Sequence, residues 1–459
     1  MKTSHVILTL SAVLLILGAI ALVFPNNGIK IGSLTLNFPT IKEIFLNEQP
    51  QYADIDNLIT NIEDVVENKI EIKEVKTNPD NVCEIQLPEN NPNYLDKFFM
   101  ALNNDVSNGE KVRIMHYGDS QIEGDRITSY IRTRLQTTFG GTGQGQIPLH
   151  SLATIKNVEY TYSDDWNFFS IIDNKRTDFH NYGLMQHACQ PTTDNQYIKL
   201  KFIKPITDTL TLYCGSEENS SSITITINDS ITKKCNITAN TSIKDFIFST
   251  NTPIKTITLK TMGRPVLYSL DLSSNSGVFV DNISLRGSSG GDFNKNDSAF
   301  LSMMSEKLNV KLILFQFGVN AVPQEEDTVM TSYHYYEVLL RKQIRFLQKT
   351  NPNAAIVMIG ISDRSRKKGS GYETNPNIPM IISAQQKVAK ECGIAFWNLF
   401  EAMGGINSMP SWVLRDKPLA NTDFIHFNDR GAKYIGEMFY NALEKAYYKF
   451  YMVQNENEF

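Results

Sequence analysis

Four short stretches of this chain hold residue types that could carry out covalent chemistry together. Gly118-Asp119-Ser120 stands where an apolar run gives way to a polar one, a place where a serine hydroxyl can be exposed. Such a hydroxyl is a weak nucleophile until a base takes its proton, and the base needs an acceptor that fixes its tautomer. Asp423-Phe-Ile-His426 offers that couple: an Asp three residues before a His can reach Nδ1 and leave Nε2 free. Phe317-Gly318-Val319-Asn320 ends another apolar run, so the Asn320 carboxamide could donate to a developing oxyanion. Arg286-Gly287-Ser288-Ser289-Gly290-Gly291-Asp292 is rich in glycine, which lets a backbone N–H approach a substrate closely. Each stretch also has a plainer use. Asp119 and Ser120 could simply cap a helix, Asn320 could cap its own turn, and a surface loop can hold Asp and His by chance.

The elements around these residues decide between the two. Val112 to Tyr117 reads as a strand, and Arg126 to Phe139 as a helix with Ile127, Tyr130, Ile131 and Leu135 on one face. The N-terminus of that helix would add its own N–H groups and dipole beside Ser120. Val310–Phe317, Ala354–Ile359 and Gly393–Trp397 read as buried strands. Helices are expected near Tyr335–Gln348 and Pro379–Glu391, and a last one from Asp429. Apolar strands alternating with helices predict a parallel sheet covered on both faces. Between about Leu152 and Ser284 the pattern changes to short alternating runs, such as Tyr197–Phe202 and Ile223–Ile227, which predict an inserted all-β sandwich. Both of its junctions are expected at the carboxyl edge of the sheet, on the side of Ser120. Tyr160, Tyr162, Trp166, Phe168 and Phe169 could stack there on sugar rings or could be sandwich core.

The N-terminus has a different character. Val6 to Phe24 is apolar and uncharged, nineteen residues that approach the thickness of a bilayer core of roughly 30 Å. It reads as a transmembrane anchor, with Ala19-Ile20-Ala21 as an alternative signal-cleavage site; either way the rest of the chain is exported. The expected organisation is residues 1–24 as anchor or signal, 25–95 as a stalk with several prolines and short ordered pieces, 96–151 and 285–459 as two parts of one α/β domain, and 152–284 as the insert.

The order Gly-Asp-Ser, Gly-rich turn, Gly-x-Asn and Asp-x-x-His resembles the SGNH (GDSL-like) hydrolase family. The resemblance implies a flavodoxin-like three-layer α/β fold and a serine esterase. It makes Ser120 the nucleophile, His426 the general base and Asp423 its orienting partner. The oxyanion hole would be formed by the Ser120 N–H, Asn320 and one glycine of the turn, with Gly290 preferred over Gly287 and Gly291. Two positions depart from the common pattern: Gln121 replaces the leucine of the name, and Ala321 follows Asn320 where many members have Asp. The polar residue after Ser120, the Gly140–Gly145 segment and the β insert resemble peptidoglycan O-acetylesterases, whose insert is a carbohydrate-binding-type module. This implies an O-acetylated polysaccharide, first of all peptidoglycan, as substrate, and a place in the cell envelope. A polysaccharide O-acetyltransferase using the same acyl-enzyme and a non-catalytic wall-binding protein are the competing readings.

Composition excludes other classes. A formal net charge of −5 leaves no basic footprint for nucleic acid. The seven histidines show no zinc-like spacing, and the reading calls for no cofactor and no metal. Five cysteines lie far apart without a CxxC pair, so at least one thiol is free; Cys214 and Cys235 are the two that could pair.

Overall fold

The computed structural model describes residues 3–25, 29–31, 34–36, 38, 50–67, 83–150, 155–173, 178–206, 209–217, 219–325 and 328–456. Five strands, β1 (Lys111–Gly118), β2 (Gly277–Ser284), β3 (Val310–Gln316), β4 (Ala355–Ile359) and β5 (Ala395–Trp397), pair in parallel in the order β2-β1-β3-β4-β5. This is the flavodoxin-like order, and its switch point lies between the carboxyl ends of β1 and β3, where open α/β sheets bind ligands.

Period-two alternation divides the strand side chains between two cores. Val112 and Ile114 of β1, with Val278 and Val280 of β2, face α2 (Asp56–Glu67), α3 (Asp96–Ser107), α4 (Thr128–Phe139) and α8 (Asp429–Glu456). Met115 and Tyr117, with Ile313 and Phe315 of β3, face α5 (Ser298–Lys307), α6 (His334–Thr350) and α7 (Ile378–Cys392). Three layers result.

The insert is a sandwich of two antiparallel sheets. One has the order Ile231–Ile237, Ser221–Ile227, Ile254–Met262, Tyr197–Ile206, Val158–Tyr162. The other runs Thr241–Ser249, Thr209–Ser216, Pro265–Ser273, His187–Pro191, Trp166–Ser170, with Gly143–Pro148 also paired to Pro265–Ser273. Both edges therefore differ from those expected. The sandwich takes in Gly143–Pro148, well before 152, and Gly277–Ser284 belongs to the parallel sheet as β2.

The junctions also lie at the opposite edge from the one expected. After β1, α4 carries the chain back to the amino edge, and β2 starts there with Gly277 opposite Lys111. The strand Gly143–Pro148 then climbs alongside β2, and the Gln146 N–H donates to Asp281 Oδ1 at 2.9 Å. Arg113 of β1 is fully buried at this seam. Its Nη1 meets both oxygens of Asp281 at 2.9 Å, and its Nη2 meets Asp271 of the insert at 2.7 Å.

Two further expectations change. The stretch 25–95 is not a spacer throughout: Ile55, Ile59, Ile62 and Val66 are buried in the core beneath α8, as is Ile85. Gln86 exchanges backbone hydrogen bonds with Phe396 of β5 at 2.8 and 2.9 Å. Most of residues 26–49 and all of 68–82 lie outside the described residues. The insert aromatics are packed rather than displayed: Trp166 and Phe169 are buried, and Tyr160, Tyr162 and Phe168 pack against the sandwich core. Cys214 and Cys235 are unbridged thiols, as are the other three cysteines. At the N-terminus, α1 (Thr3–Val23) is the one helix among the described residues long and apolar enough to cross a membrane.

Candidate active site

Ser120 follows β1 at the switch point. Only glycine fits two residues before it, because a Cβ on Gly118 would lie 2.9 Å from the Gln316 carbonyl of β3 and from the Ile122 side chain. Asp119 is buried; its carboxylate accepts from the Gln121 N–H at 3.0 Å, and its own N–H donates to the Gln316 carbonyl at the end of β3 at 3.3 Å. It thus joins the end of β1 to the end of β3. Burial pushes its carboxyl up to about 6, against the pull of the nearby backbone N–H groups. Ser120–Asp125 form a kinked 3-10 segment, and α4 starts only at Thr128, so no α-helix N-terminus abuts Ser120 as had been expected.

The predicted triad residues, more than 300 positions apart in the chain, come together. His426 Nδ1 donates to Asp423 Oδ2 at 2.8 Å, which leaves Nε2 to accept from Ser120 Oγ at 2.8 Å. Asp423 Oδ1 accepts from the Ile425 and His426 N–H groups at 2.9 and 3.0 Å, so the carboxylate is held by its own loop. Partial burial would raise the Asp423 pKa; the hydrogen bonds from the His426 ring and these two amides outweigh it and hold it down at about 2.

The expected oxyanion donors are less uniform. Among the described residues the Ser120 N–H has no hydrogen-bond partner. Asn320 is exposed and gives one Nδ2 hydrogen to Ser288 O at 3.0 Å, leaving the other free. The Gly290 N–H is not free: it donates to Ser288 Oγ at 3.0 Å. Gly290 shapes the turn instead, with φ of 87° and a Cβ position only 2.7 Å from the Phe315 ring.

Three residues beyond the motifs hold or line the site. Gln121, beside the serine, donates through Nε2 to Ile425 O at 2.8 Å and Ser362 Oγ at 3.2 Å, and its Oε1 accepts from the Phe427 N–H at 3.4 Å. It therefore grips the backbone on both sides of His426. Arg126 donates to the carbonyls of Ser120, Glu123 and Phe427 at 2.7, 2.8 and 2.8 Å, spanning the same two segments. Ser120 and His426 open into a cleft of about 640 Å³, whose wall includes Arg126, Arg286 and Lys156, the last from the insert. The polar Gln121 in an otherwise apolar-named motif was the one signal in the sequence. Nothing there placed Lys156 near Ser120, because its loop is brought over only by the climb of Gly143–Pro148 along β2.

No family model and no curated protein matches the chain. Among solved structures, one titled as a peptidoglycan O-acetylesterase in action aligns with a TM-score of 0.62 at 20% identity, covering 77% of this chain and 96% of that one. An acetyl xylan esterase aligns at 16% identity with a TM-score of 0.28, covering 36% of this chain and 81% of its own. A carbohydrate-binding module from Clostridium stercorarium, solved with cellobiose, aligns at 13% identity and TM-score 0.21, covering 30% of this chain and 95% of its own. The first likeness establishes a shared fold, and the other two are too low to carry an argument. The chain therefore shares the fold of the first structure, and its own architecture is a flavodoxin-like α/β body with an antiparallel β sandwich set into it.

Proposed function

We propose that this protein is an exported serine esterase that removes O-acetyl groups from a cell-envelope polysaccharide, peptidoglycan in the first place. The observation that carries the reading is the unbroken line Ser120 Oγ, His426 Nε2, His426 Nδ1, Asp423 Oδ2, with 2.8 Å at each hydrogen bond. Its supports are the open cleft around Ser120 and the fold shared with a structure named for peptidoglycan O-acetylesterase.

In this reading Ser120 Oγ attacks the acetyl carbonyl while His426 Nε2 takes its proton. The negative charge on the carbonyl oxygen is met by the Ser120 N–H and the free Nδ2 hydrogen of Asn320. The ester C–O bond breaks, His426 returns the proton to the sugar oxygen, and an acetyl-enzyme remains. Water enters the open cleft, gives a proton to His426, attacks the acetyl carbon, and acetate leaves as Ser120 regains its proton. Asp423 stays ionised and holds the imidazole throughout. The apolar α1 serves as signal or anchor and sets the body outside the cytoplasm.

The test is acetate release from O-acetylated peptidoglycan, acetylated xylan and 4-nitrophenyl acetate. Release from at least one is expected, with peptidoglycan the best polymer. No release from any of the three by folded protein would overturn the esterase reading.

A further inference from the structure

We propose that the cleft beside Ser120 contains a subsite for a carboxylate of the substrate, built around Lys156 of the insert, so that the acetylated glycan is an anionic one. This rests on the reading of Ser120 as the nucleophile and narrows its substrate class. The observation is a charge account of the cleft wall. Three cations line it, Arg126, Lys156 and Arg286, with two carboxylates, Glu123 and Asp429.

The carboxylates have other claims. Arg286 Nε donates to Glu123 Oε2 at 2.8 Å and its Nη2 to Oε1, so that pair is neutral together. Asp429 sits in the first turn of α8, where the helix dipole complements a negative charge. Arg126 spends its donors on main-chain carbonyls, and no carboxylate pairs with it among the described residues. Lys156 is exposed, and its ammonium has no ion-pair or hydrogen-bond partner among the described residues. The wall thus keeps one excess positive charge, and Lys156 is the cation in it whose donors are all left for a substrate of Ser120. A cleft lined by one excess sign focuses its field and concentrates ligands of the opposite sign. Lys has three donors on a flexible stem and suits a carboxylate whose position varies along a polymer.

The carboxylate could belong to a uronate ring or to a peptide attached to the glycan, and the two share this chemistry. Acetate release by wild type, Lys156→Gln and Lys156→Glu is therefore measured on acetylated polygalacturonate, O-acetylated peptidoglycan and neutral acetylated xylan. Wild type is expected to favour at least one carboxylated substrate over xylan in kcat/KM. Lys156→Glu should reduce that preference roughly tenfold, mostly through KM, and Lys156→Gln by less. Added NaCl should erode the preference in wild type and leave Lys156→Glu little changed. A loss confined to polygalacturonate assigns the ring carboxylate, and one confined to peptidoglycan assigns the peptide carboxylate. An unchanged preference in Lys156→Glu, or an equal fall on all three substrates, overturns the subsite and leaves the esterase standing. If wild type cleaves none of them, nor 4-nitrophenyl acetate, the esterase reading fails and the subsite falls with it.

Discussion

Gln121 and Arg126 reach from the segment that carries Ser120 to the segment that carries His426, and Ser120 Oγ and His426 Nε2 keep their spacing through them. Gln121→Leu removes the donors to Ile425 O and Ser362 Oγ, leaving buried acceptors unpaired at a cost of about 1–3 kcal/mol. The larger expected effect is on turnover: a loosened base should lower kcat about 10²-fold with KM little changed. Steady-state kinetics beside a thermal melt checks this, and an unaltered kcat would mean that the grip is only structural. Asp423→Asn should cost about 10⁴-fold in kcat, since the wrong histidine tautomer is then favoured. Because the Asp423 pKa is depressed to about 2, its contribution to stability is full above the ordinary carboxylate range near about pH 4. It is lost as pH falls toward 2. Melting temperatures of wild type and Asp423→Asn should therefore differ at neutral pH and converge in acid. At this scale the meeting of Ser120, Asp423 and His426 was legible, since their types and order are local facts. The positions of Gln121 and Arg126 were not, because the partners that tie them to the His426 segment, Ile425 and Phe427, lie more than 300 residues away in the chain.

Elements tell a more uneven story. Of the α/β body, β1, β3, β4 and β5 and the helices α4, α6, α7 and α8 stand close to where hydrophobic periodicity put them, because buried parallel strands are written as continuous apolar runs, whereas β2 was read as part of the insert. The edges of the insert were missed for a reason visible in Gly143-Gln-Gly-Gln-Ile-Pro148, which has neither alternation nor β-branched residues before Ile147 and reads as a loop. Its strand form comes from pairing with Pro265–Ser273. Ile55, Ile59, Ile62 and Val66 recur at helical spacing, a stripe that the reading of 25–95 as a stalk overlooked and that the structure buries. The seam between insert and body rests on Arg113, which no periodicity could reveal. Arg113→Leu would leave Asp271 and Asp281 buried without their cation and should destabilise the protein by about 3–5 kcal/mol. Chemical denaturation measures this; a loss under 1 kcal/mol would mean that water or Lys111 takes over the pairing.

For the whole molecule, the architecture predicts where the chain can be shortened. Protein beginning at residue 50 keeps α2 and the contact of Gln86 with β5, and should be soluble and fully active without α1. Protein beginning at residue 96 loses Ile55, Ile59, Ile62, Val66 and Ile85 from the core, each side chain worth about 1.5–3 kcal/mol. It should be unstable or insoluble, and equal melting temperatures of the two would show that α2 is dispensable. The insert likewise cannot be treated as an appendage, since it shares Arg113 with the sheet and delivers Lys156 to the cleft. Everything converges on one hydroxyl, and one measurement tests it most directly: acetate released from O-acetylated peptidoglycan by wild type and by Ser120→Ala, each shown folded by its melting curve. Turnover in the variant should fall by several orders of magnitude with the melting curve unchanged. A variant that keeps more than a few per cent of the wild-type rate would contradict the account.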